Sequence, residues 1–329
     1  MNPPLLTIVV PCYNEEDVLP ETIDRLTDVL RQLLDEALIS VKSKLLLVDD
    51  GSKDRTWALI FRACRENEFV TGLKLARNFG HQKALLAGLS IAAQKADCVI
   101  SLDADLQDDI GVIRDFVTAY LEGYDIVYGV RRSRDSDTIF KRATAQGFYR
   151  FMRKMGMNVI DNHADYRLLS KRALRELLRF KETNLFLRGI VPLVGFRSAI
   201  VYYDRKKRMS GESKYPLKKM LAFALDGITS FTVKPIRFIT TIGFVASLVS
   251  VIAGTYALIS KWTGTTQSGW TSLMISLWLI GGLLLLSIGL IGEYIGKIYE
   301  EVKQRPRFII EEDLFSERIF DRSAVPDRL

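Results

Sequence analysis

The chain has 329 residues, with 46 Lys and Arg against 39 Asp and Glu, a formal net charge of +7 and 48% hydrophobic residues. That length exceeds a typical single domain and allows a large core plus a second unit. The basic surplus crowds towards uncharged apolar segments near the C-terminus, so it points to anionic lipid headgroups or a phosphorylated lipid and not to nucleic acid.

Residues 1 to about 130 alternate two kinds of apolar pattern. LLTIVV, KLLLV, VTGLKL, DCVISL and DIVYG read as strands, and VLPETIDRLTDVLRQLL, TWALIFRAC, KALLAGLSIAA and IRDFVTAYL read as the helices between them. The fold class expected is α/β, a mostly parallel sheet covered by helices. The start, MNPPLLTIVV, has no basic region and runs straight into a strand, so no signal peptide is expected. Ligands of such sheets bind beyond the carboxyl ends of the strands. The first strand runs into PCYNEE, the second into DDGSKD, the fourth into DADLQDD and the fifth into VRRSR. Ser52 is expected to cap the helix after Gly51, Asn78 and Gly80 to form a turn, and His81 to start a helix. Neither a Rossmann glycine fingerprint nor a P-loop occurs. Acidic ends that can hold a metal, a ribose and a base, beside arginines that can fork onto phosphate, resemble a sugar-nucleotide site.

CVISLDADLQDD, residues 98–109, ends an apolar run in four carboxylates. In extended chain Asp103 and Asp105 project to one side and Gln107 follows them. Two like charges held together make sense around a hard divalent cation that takes oxygen ligands and bridges to phosphate. Asp108 and Asp109 read instead as helix-start residues.

Residues 131–215 are less regular and strongly basic, with Arg131, Arg132, Arg134, Lys141 and Arg142, then DRKKRMSGESKY at 204–215. PLKKMLAFALDGITSF places Leu217, Leu221, Leu225 and Ile228 at helical spacing. It reads as an interfacial helix on a membrane, with a core-facing helix as the alternative. Phe238–Ile259 and Trp270–Ile291 carry no charge, and each is long enough to cross the roughly 30 Å hydrocarbon core. Their connector has a single Lys, whereas Lys234 and Arg237 precede the first span and Lys297, Lys303, Arg305 and Arg307 follow the second. By the positive-inside tendency both flanks, and with them the N-terminal region, are cytoplasmic. Cys12, Cys64 and Cys98 are scattered, which fits a reducing compartment. The run GFVASLVSVIAG permits close helix packing and so a homo-oligomer. The expected parts are a catalytic domain at 1–215, the interfacial helix at 216–232, a two-span hairpin at 233–298 and a tail at 299–329. Little compact structure is expected after Arg307.

VVPCYNEE, LLLVDDGSKDRT, ARNFGHQKALLAGL, SLDADLQDD, DYRLLSKRAL, RMSGESKY and LIGEYIGKIYEEVKQRPRF, in this order, resemble the motifs of polyprenyl-phosphate glycosyltransferases. These are the membrane-anchored relatives of dolichol-phosphate mannose synthase and of the bactoprenol glucosyltransferases. The resemblance covers nearly the whole chain. It implies an A-type glycosyltransferase domain, inversion at the sugar carbon, a divalent cation (Mg²⁺ or Mn²⁺), a nucleotide sugar as donor and a polyprenyl (undecaprenyl) phosphate as acceptor. It implies an integral protein of a bacterial inner membrane. Carried over by residue, it puts Pro11, Tyr13 and Glu15 in the nucleoside pocket and Asp50 at the base edge. Asp103, Asp105 and Gln107 then surround the metal and the donor diphosphate. Asp165 stands near the reacting centre as candidate base, and Arg208, Ser213 and Lys214 lie on a loop that closes over phosphate. Where this chain has Ala164 the family often has glycine.

A phosphate monoester has a second pKa near 6, so the acceptor is already largely anionic at neutral pH. Asp165 therefore either removes a proton or orients the acceptor, and both roles stay open. Two polyanions must meet, so fixed cations matter. Arg131 is the first choice for the acceptor phosphate, with Ser213 and Lys214 beside it, Arg208 is the choice for the donor diphosphate, and Arg205, Lys206 and Lys207 read as plain attraction to lipid. The donor favoured is UDP-glucose, with GDP-mannose or another UDP-sugar as alternatives. A processive polysaccharide synthase would bring further spans and a Q-x-x-R-W motif, which is absent. A non-catalytic, membrane-anchored sugar-nucleotide-binding protein is the rival from another class.

Overall fold

The computed structural model describes residues 3–132, 163–182, 187–204, 234–263 and 269–317. Every residue of β1 (Leu6–Cys12) and β4 (Cys98–Ser101) is buried, as is β2 (Lys44–Asp49) after its first residue. Strands covered on both faces show continuous apolar runs where a half-exposed strand would alternate. The helices α1 (Leu19–Asp35), α2 (Thr56–Glu66), α3 (His81–Ala92) and α4 (Ile113–Leu121) follow β1, β2, β3 (Val70–Leu75) and β4 in turn. In α1 the buried residues Leu19, Ile23, Leu26, Leu30 and Leu33 recur every three or four positions and form one apolar stripe against the core.

Beyond α4 come β5 (Ile126–Arg131), β6 (His163–Ser170), α5 (Lys171–Arg179) and β7 (Ser198–Tyr203). The last strand, β8 (Ile310–Asp313), completes one eight-stranded sheet in the order β7-β5-β6-β4-β1-β2-β3-β8. The pairs β1/β2, β1/β4, β2/β3 and β5/β7 are parallel, whereas β4/β6, β5/β6 and β3/β8 are antiparallel. The five strands and four helices expected up to residue 131 are all present.

Residues 1–150, 158–214 and 306–329 form one compact unit, and 151–157 with 215–305 form a second. The second unit contains two long helices, α6 (Lys234–Trp262) and α7 (Trp270–Val302), which enclose the two expected spans. Large apolar side chains such as Phe238, Phe244 and Leu248 on α6 and Leu277, Leu284 and Leu285 on α7 are exposed. Among the described residues, Leu279–Val302 is long and apolar enough to cross a bilayer, by length and composition. The expected interfacial helix, 216–232, lies outside the described residues.

The tail departs from expectation. Instead of lacking structure after Arg307, the chain pairs Ile310–Asp313 antiparallel with β3. A sheet edge presents unpaired N–H and C=O groups, and this strand takes them up at β3. Lys74 on β3 meets Glu311 at 3.2 Å and Glu312 at 3.6 Å. Phe315 is buried, with Lys95 Nζ 5.2 Å from its ring centre. The strand is held by its pairing with β3 and by the buried Phe315 beside it, which charge content alone concealed. Phe315→Ala is expected to lower the stability of this unit by about 3 kcal/mol, read from thermal unfolding in detergent. An unchanged midpoint would show that the tail contributes no core.

Candidate active site

The carboxyl ends of β1, β2, β4 and β5 share one edge of the sheet, as their pairings require. Because β6 runs antiparallel to β4 and β5, its beginning, with Asp165, arrives at that same edge. Ser101 Oγ, in the last residue of β4, donates to the Asp165 carbonyl at 2.5 Å.

The loops after β1 and β2 hold one another. Asn14 adopts a φ of 54°, its N–H donates to Ser52 Oγ at 3.0 Å, and its Oδ1 accepts from the Lys53 N–H at 2.9 Å. The Glu15 N–H donates to Thr56 Oγ1 at 2.9 Å. Ser52 therefore ties two loops together and does not cap α2, which starts four residues later with no side-chain cap. Pro11 is buried, Glu15 half-buried, and Tyr13 is 40% exposed, open to a ligand. Asp50 is buried and accepts from the Phe79 N–H at 2.7 Å and the Gly80 N–H at 2.9 Å. Burial pushes its carboxyl up and those two amides oppose the shift. Its structural work is thus to hold the 78–80 turn that precedes α3. Gly51, at φ +66°, lets the chain pass there, since a Cβ would lie 2.4 Å from the Arg77 carbonyl carbon.

Strand β4 stops at Ser101, so Asp103 and Asp105 sit in the following turn and not in extended chain. The Thr22 hydroxyl on α1 donates to the Ala104 carbonyl at 2.8 Å, and Leu106 has a φ of 50°. Gln107 is buried and its N–H donates to Asp105 Oδ1 at 3.2 Å. The Asp103 side chain is 38% exposed, yet its Oδ1 is enclosed and has no hydrogen-bond partner among the described residues. Burial and the carboxylates Asp165, Asp108 and Asp105 push the Asp103 carboxyl up, and His81 draws it back.

His81, expected only to start a helix, does start α3 and also faces the site. Its Nε2 lies 3.4 Å from Asp103 Oδ1 and 3.9 Å from Asp165 Oδ2. Asp165 is buried and carries a ring of donors that single-residue reading missed. Arg167 Nη2 pairs with its Oδ1, Arg188 Nη2 with its Oδ2 at 3.1 Å, and Gln82 Nε2 donates to Oδ2 at 3.2 Å. Burial acts to raise the Asp165 carboxyl, but Arg167 and Arg188 outweigh it and hold the group well below the usual carboxylate range. A carboxylate so held is a poor proton acceptor, which favours the orienting role. The one cue in the sequence was the i, i+2 spacing of Asp165 and Arg167 on a strand, which puts both on one face.

Asp109 accepts from the Gly111 N–H at 3.2 Å and opens the short turn before α4, as expected. Asp108 does something else. It is buried, meets Arg131 Nη2 at 3.1 Å and accepts from the Tyr203 hydroxyl at 2.7 Å. Arg131 thus reaches the expected edge with its charge held by a buried carboxylate, and its Nε donates to Tyr203 Oη at 3.3 Å. Arg208, Ser213 and Lys214 lie outside the described residues, as do Arg134, Lys141, Arg142 and Arg205–Lys207.

Among the described residues no three His, Cys, Asp or Glu side chains converge into a cage for a metal ion. The enclosed Asp103 Oδ1 nevertheless suits a hard cation, because a carboxylate oxygen without a hydrogen bond is a ligand position already desolvated. Asp105, two residues on, is the second oxygen donor of this turn, and phosphate oxygens would complete such a shell.

The chain thus joins an α/β unit with carboxylates gathered at the carboxyl edge of its sheet to a pair of long apolar helices, and both parts match known families. Residues 7–178 match the family Glycosyl transferase family 2, and residues 234–298 match the GtrB C-terminal hairpin. The chain belongs to glycosyl transferase family 2. It is 62% identical to the uncharacterized glycosyltransferase YkoT of Bacillus subtilis (strain 168), over 96% of this chain and 94% of that one. It is 36% identical to the prophage bactoprenol glucosyl transferase homolog of Escherichia coli (strain K12), over 93% and 98% respectively. The bactoprenol glucosyl transferase of Shigella phage SfV is also 36% identical, over 94% and 98%.

Proposed function

We propose that this enzyme transfers one sugar from a nucleotide sugar to the phosphate of a polyprenyl phosphate, with UDP-glucose as donor and inversion at the sugar carbon. The observation that carries the reading is the meeting of Asp103, His81 and Asp165 at the edge where α/β sheets bind ligands. The apolar hairpin and the relatives named for bactoprenol glucosyl transfer support a lipid acceptor.

The reaction is a displacement at the anomeric carbon. An oxygen of the lipid phosphate forms the new bond to that carbon, and the bond to the nucleoside diphosphate breaks. The attacking phosphate is anionic at neutral pH, so the site must orient it and offset charge more than remove a proton. Asp165, kept ionised by its two arginines, anchors the cations and not the proton. Tyr13 and Glu15 face the nucleoside, and Asp50 serves it by holding the 78–80 turn. Asp103 and Asp105 are the residues that would hold a divalent cation, which supplies charge neutralisation at the leaving diphosphate. Incubating membranes that contain the protein with a panel of nucleotide sugars and undecaprenyl phosphate tests the reading. Glucosyl lipid from UDP-glucose is the expected product, a different sugar would replace the donor, and no lipid-linked sugar from any donor would overturn the function.

The anchor is proposed to cross the membrane twice, with both flanks and the catalytic unit cytoplasmic, because Lys and Arg cluster on the flanks and not in the connector. Single cysteines at Gly264 and Ala324, in a cysteine-free background, are expected to give labelling of position 264 only, with an impermeant reagent on intact cells. Labelling of 324 and not 264 would invert the topology.

A further inference from the structure

We propose that Tyr203 positions the acidic turn 103–109 for its divalent cation by tying Asp108 to Arg131, and that Tyr166 holds the next residue of the turn. The assignment rests on the cation site proposed above at Asp103 and Asp105. Such a turn needs holding. It carries four carboxylates in seven residues, Asp103, Asp105, Asp108 and Asp109, and like charges so close push one another apart. Asp103 Oδ1 is enclosed with no hydrogen bond among the described residues, a costly arrangement that persists only where the surrounding chain is fixed. Thr22 fixes the front of the turn at the Ala104 carbonyl. The back is fixed from the sheet.

Asp108 Oδ1 accepts from the Tyr203 hydroxyl at 2.7 Å and from Arg131 Nη2 at 3.1 Å, while Arg131 Nε donates to Tyr203 Oη at 3.3 Å. These bonds close a ring of three side chains, and the Tyr203 hydroxyl takes part in two of them. The register of β5 on β7 sets Arg131 directly beside Tyr203. One residue further along the turn, the Asp109 carbonyl accepts from the Tyr166 hydroxyl at 3.1 Å. The Tyr166 ring is itself fixed, 4.7 Å from the Phe116 ring and edge-on to Tyr203 at 5.4 Å. Gly129 on β5 leaves room for that meeting, since a Cβ there would lie 2.9 Å from the Tyr166 carbonyl oxygen and 3.1 Å from the Tyr203 ring. Burial and the Asp108 carboxylate push both phenols above their ordinary value, so both stay protonated and donate. Arg131 belongs to the same device. The Asp108 charge acts on Asp103, and a guanidinium facing Asp108 lessens the repulsion inside the turn.

The test separates the cation from the acceptor. Mn²⁺ is titrated calorimetrically into full-length protein in detergent with UDP present, beside kinetics in which Mn²⁺ and polyprenyl phosphate are varied in turn. Tyr203→Phe keeps the ring and deletes the hydroxyl. A hydrogen bond to a charged group is lost, the fraction of protein with the turn in its cation-binding form falls, and the Mn²⁺ Kd is expected to rise about tenfold. Lipid KM should not change, and turnover should climb back towards wild type as Mn²⁺ is raised, which a loss of stability alone would not give. Tyr166→Phe should shift the Kd the same way by less, because its acceptor is an uncharged carbonyl, and it keeps the test open should Tyr203→Phe fold poorly. Tyr120→Phe, which removes a hydroxyl bonded to the Asp97 carbonyl at 3.4 Å, should leave the Kd unchanged. An unchanged Mn²⁺ Kd in whichever of the two site variants folds would overturn the assignment, as would an equal shift in Tyr120→Phe. A raised lipid KM at unchanged Mn²⁺ Kd would also overturn it and return Arg131 to the acceptor phosphate. Wild-type protein that binds no Mn²⁺, with or without UDP, would overturn the cation and the positioning together. Wild-type protein that binds Mn²⁺ through the held turn yet transfers no sugar would overturn the proposed function and leave the positioning in place.

Discussion

Asp103→Asn is expected to lower turnover by about 100-fold or more while the protein folds as well as wild type or better. The two halves of that result have different causes. Turnover falls because a neutral amide is a poor ligand for a hard cation, and losing several kcal/mol of charge stabilisation at the leaving diphosphate costs tenfold for each 1.36 kcal/mol. Stability holds because Asp103 Oδ1 has no hydrogen bond to lose among the described residues, and because loss of its 3.4 Å contact with His81 is offset by removing one negative charge from the company of Asp105, Asp108 and Asp165. Wild-type activity should likewise vanish in excess chelator and return with Mg²⁺ or Mn²⁺. Full wild-type activity in chelator would refute the cation, and a destabilised Asp103→Asn would show that the carboxylate is a structural group.

Arg167→Met is expected to be among the most damaging changes to stability, at about 3–5 kcal/mol near neutral pH, because it leaves the buried Asp165 charge with too little compensation. The pH dependence gives the cause away. In wild type the Asp165 carboxyl is held below its unfolded value, so its contribution is fully present above about pH 4 and is lost only as the pH falls towards the folded pKa. Without Arg167, burial gains on the remaining arginine and the folded pKa rises, so the ionised form no longer stabilises the fold. The gap between variant and wild type should therefore be largest at neutral pH and narrow below about pH 4, where wild type too begins to lose the contribution. Denaturant titrations in detergent at both pH values read the gap. Adding Asp165→Asn to Arg167→Met should restore part of the loss at pH 7. A gap of equal size at both pH values would mean that Arg167 acts by packing and not by charge.

The strands and helices up to residue 131 were legible because both signals are local. Buried parallel strands are continuous apolar runs, and α1 is a stripe of Leu and Ile at helical spacing. The acidic turn at 103–105 was legible for the same reason, although its geometry was not. The side-by-side projection expected of an extended chain ended with β4 at Ser101, where the Thr22 hydroxyl and the positive φ of Leu106 bend the chain. The strand in the tail was hidden because IEED reads as a charged segment until β3 offers it an unpaired edge.

What the sequence by itself determined is the class of architecture, the sheet edge at which the carboxylates gather, the acidic turn after β4 and the apolar hairpin, all of them patterns within a few residues of one another. The tertiary structure alone decided the partners. Asp108 belongs with Tyr203, 95 positions away, and not with the helix beside it, and that choice engages Arg131. Asp165 reaches the site because β6 runs antiparallel, a direction that side-chain alternation cannot encode. Gln82 and Arg188 meet it from separations of 83 and 23 residues. Burial makes a charge costly unless another charge is brought to it, and which one is brought depends on how strands lie in the sheet.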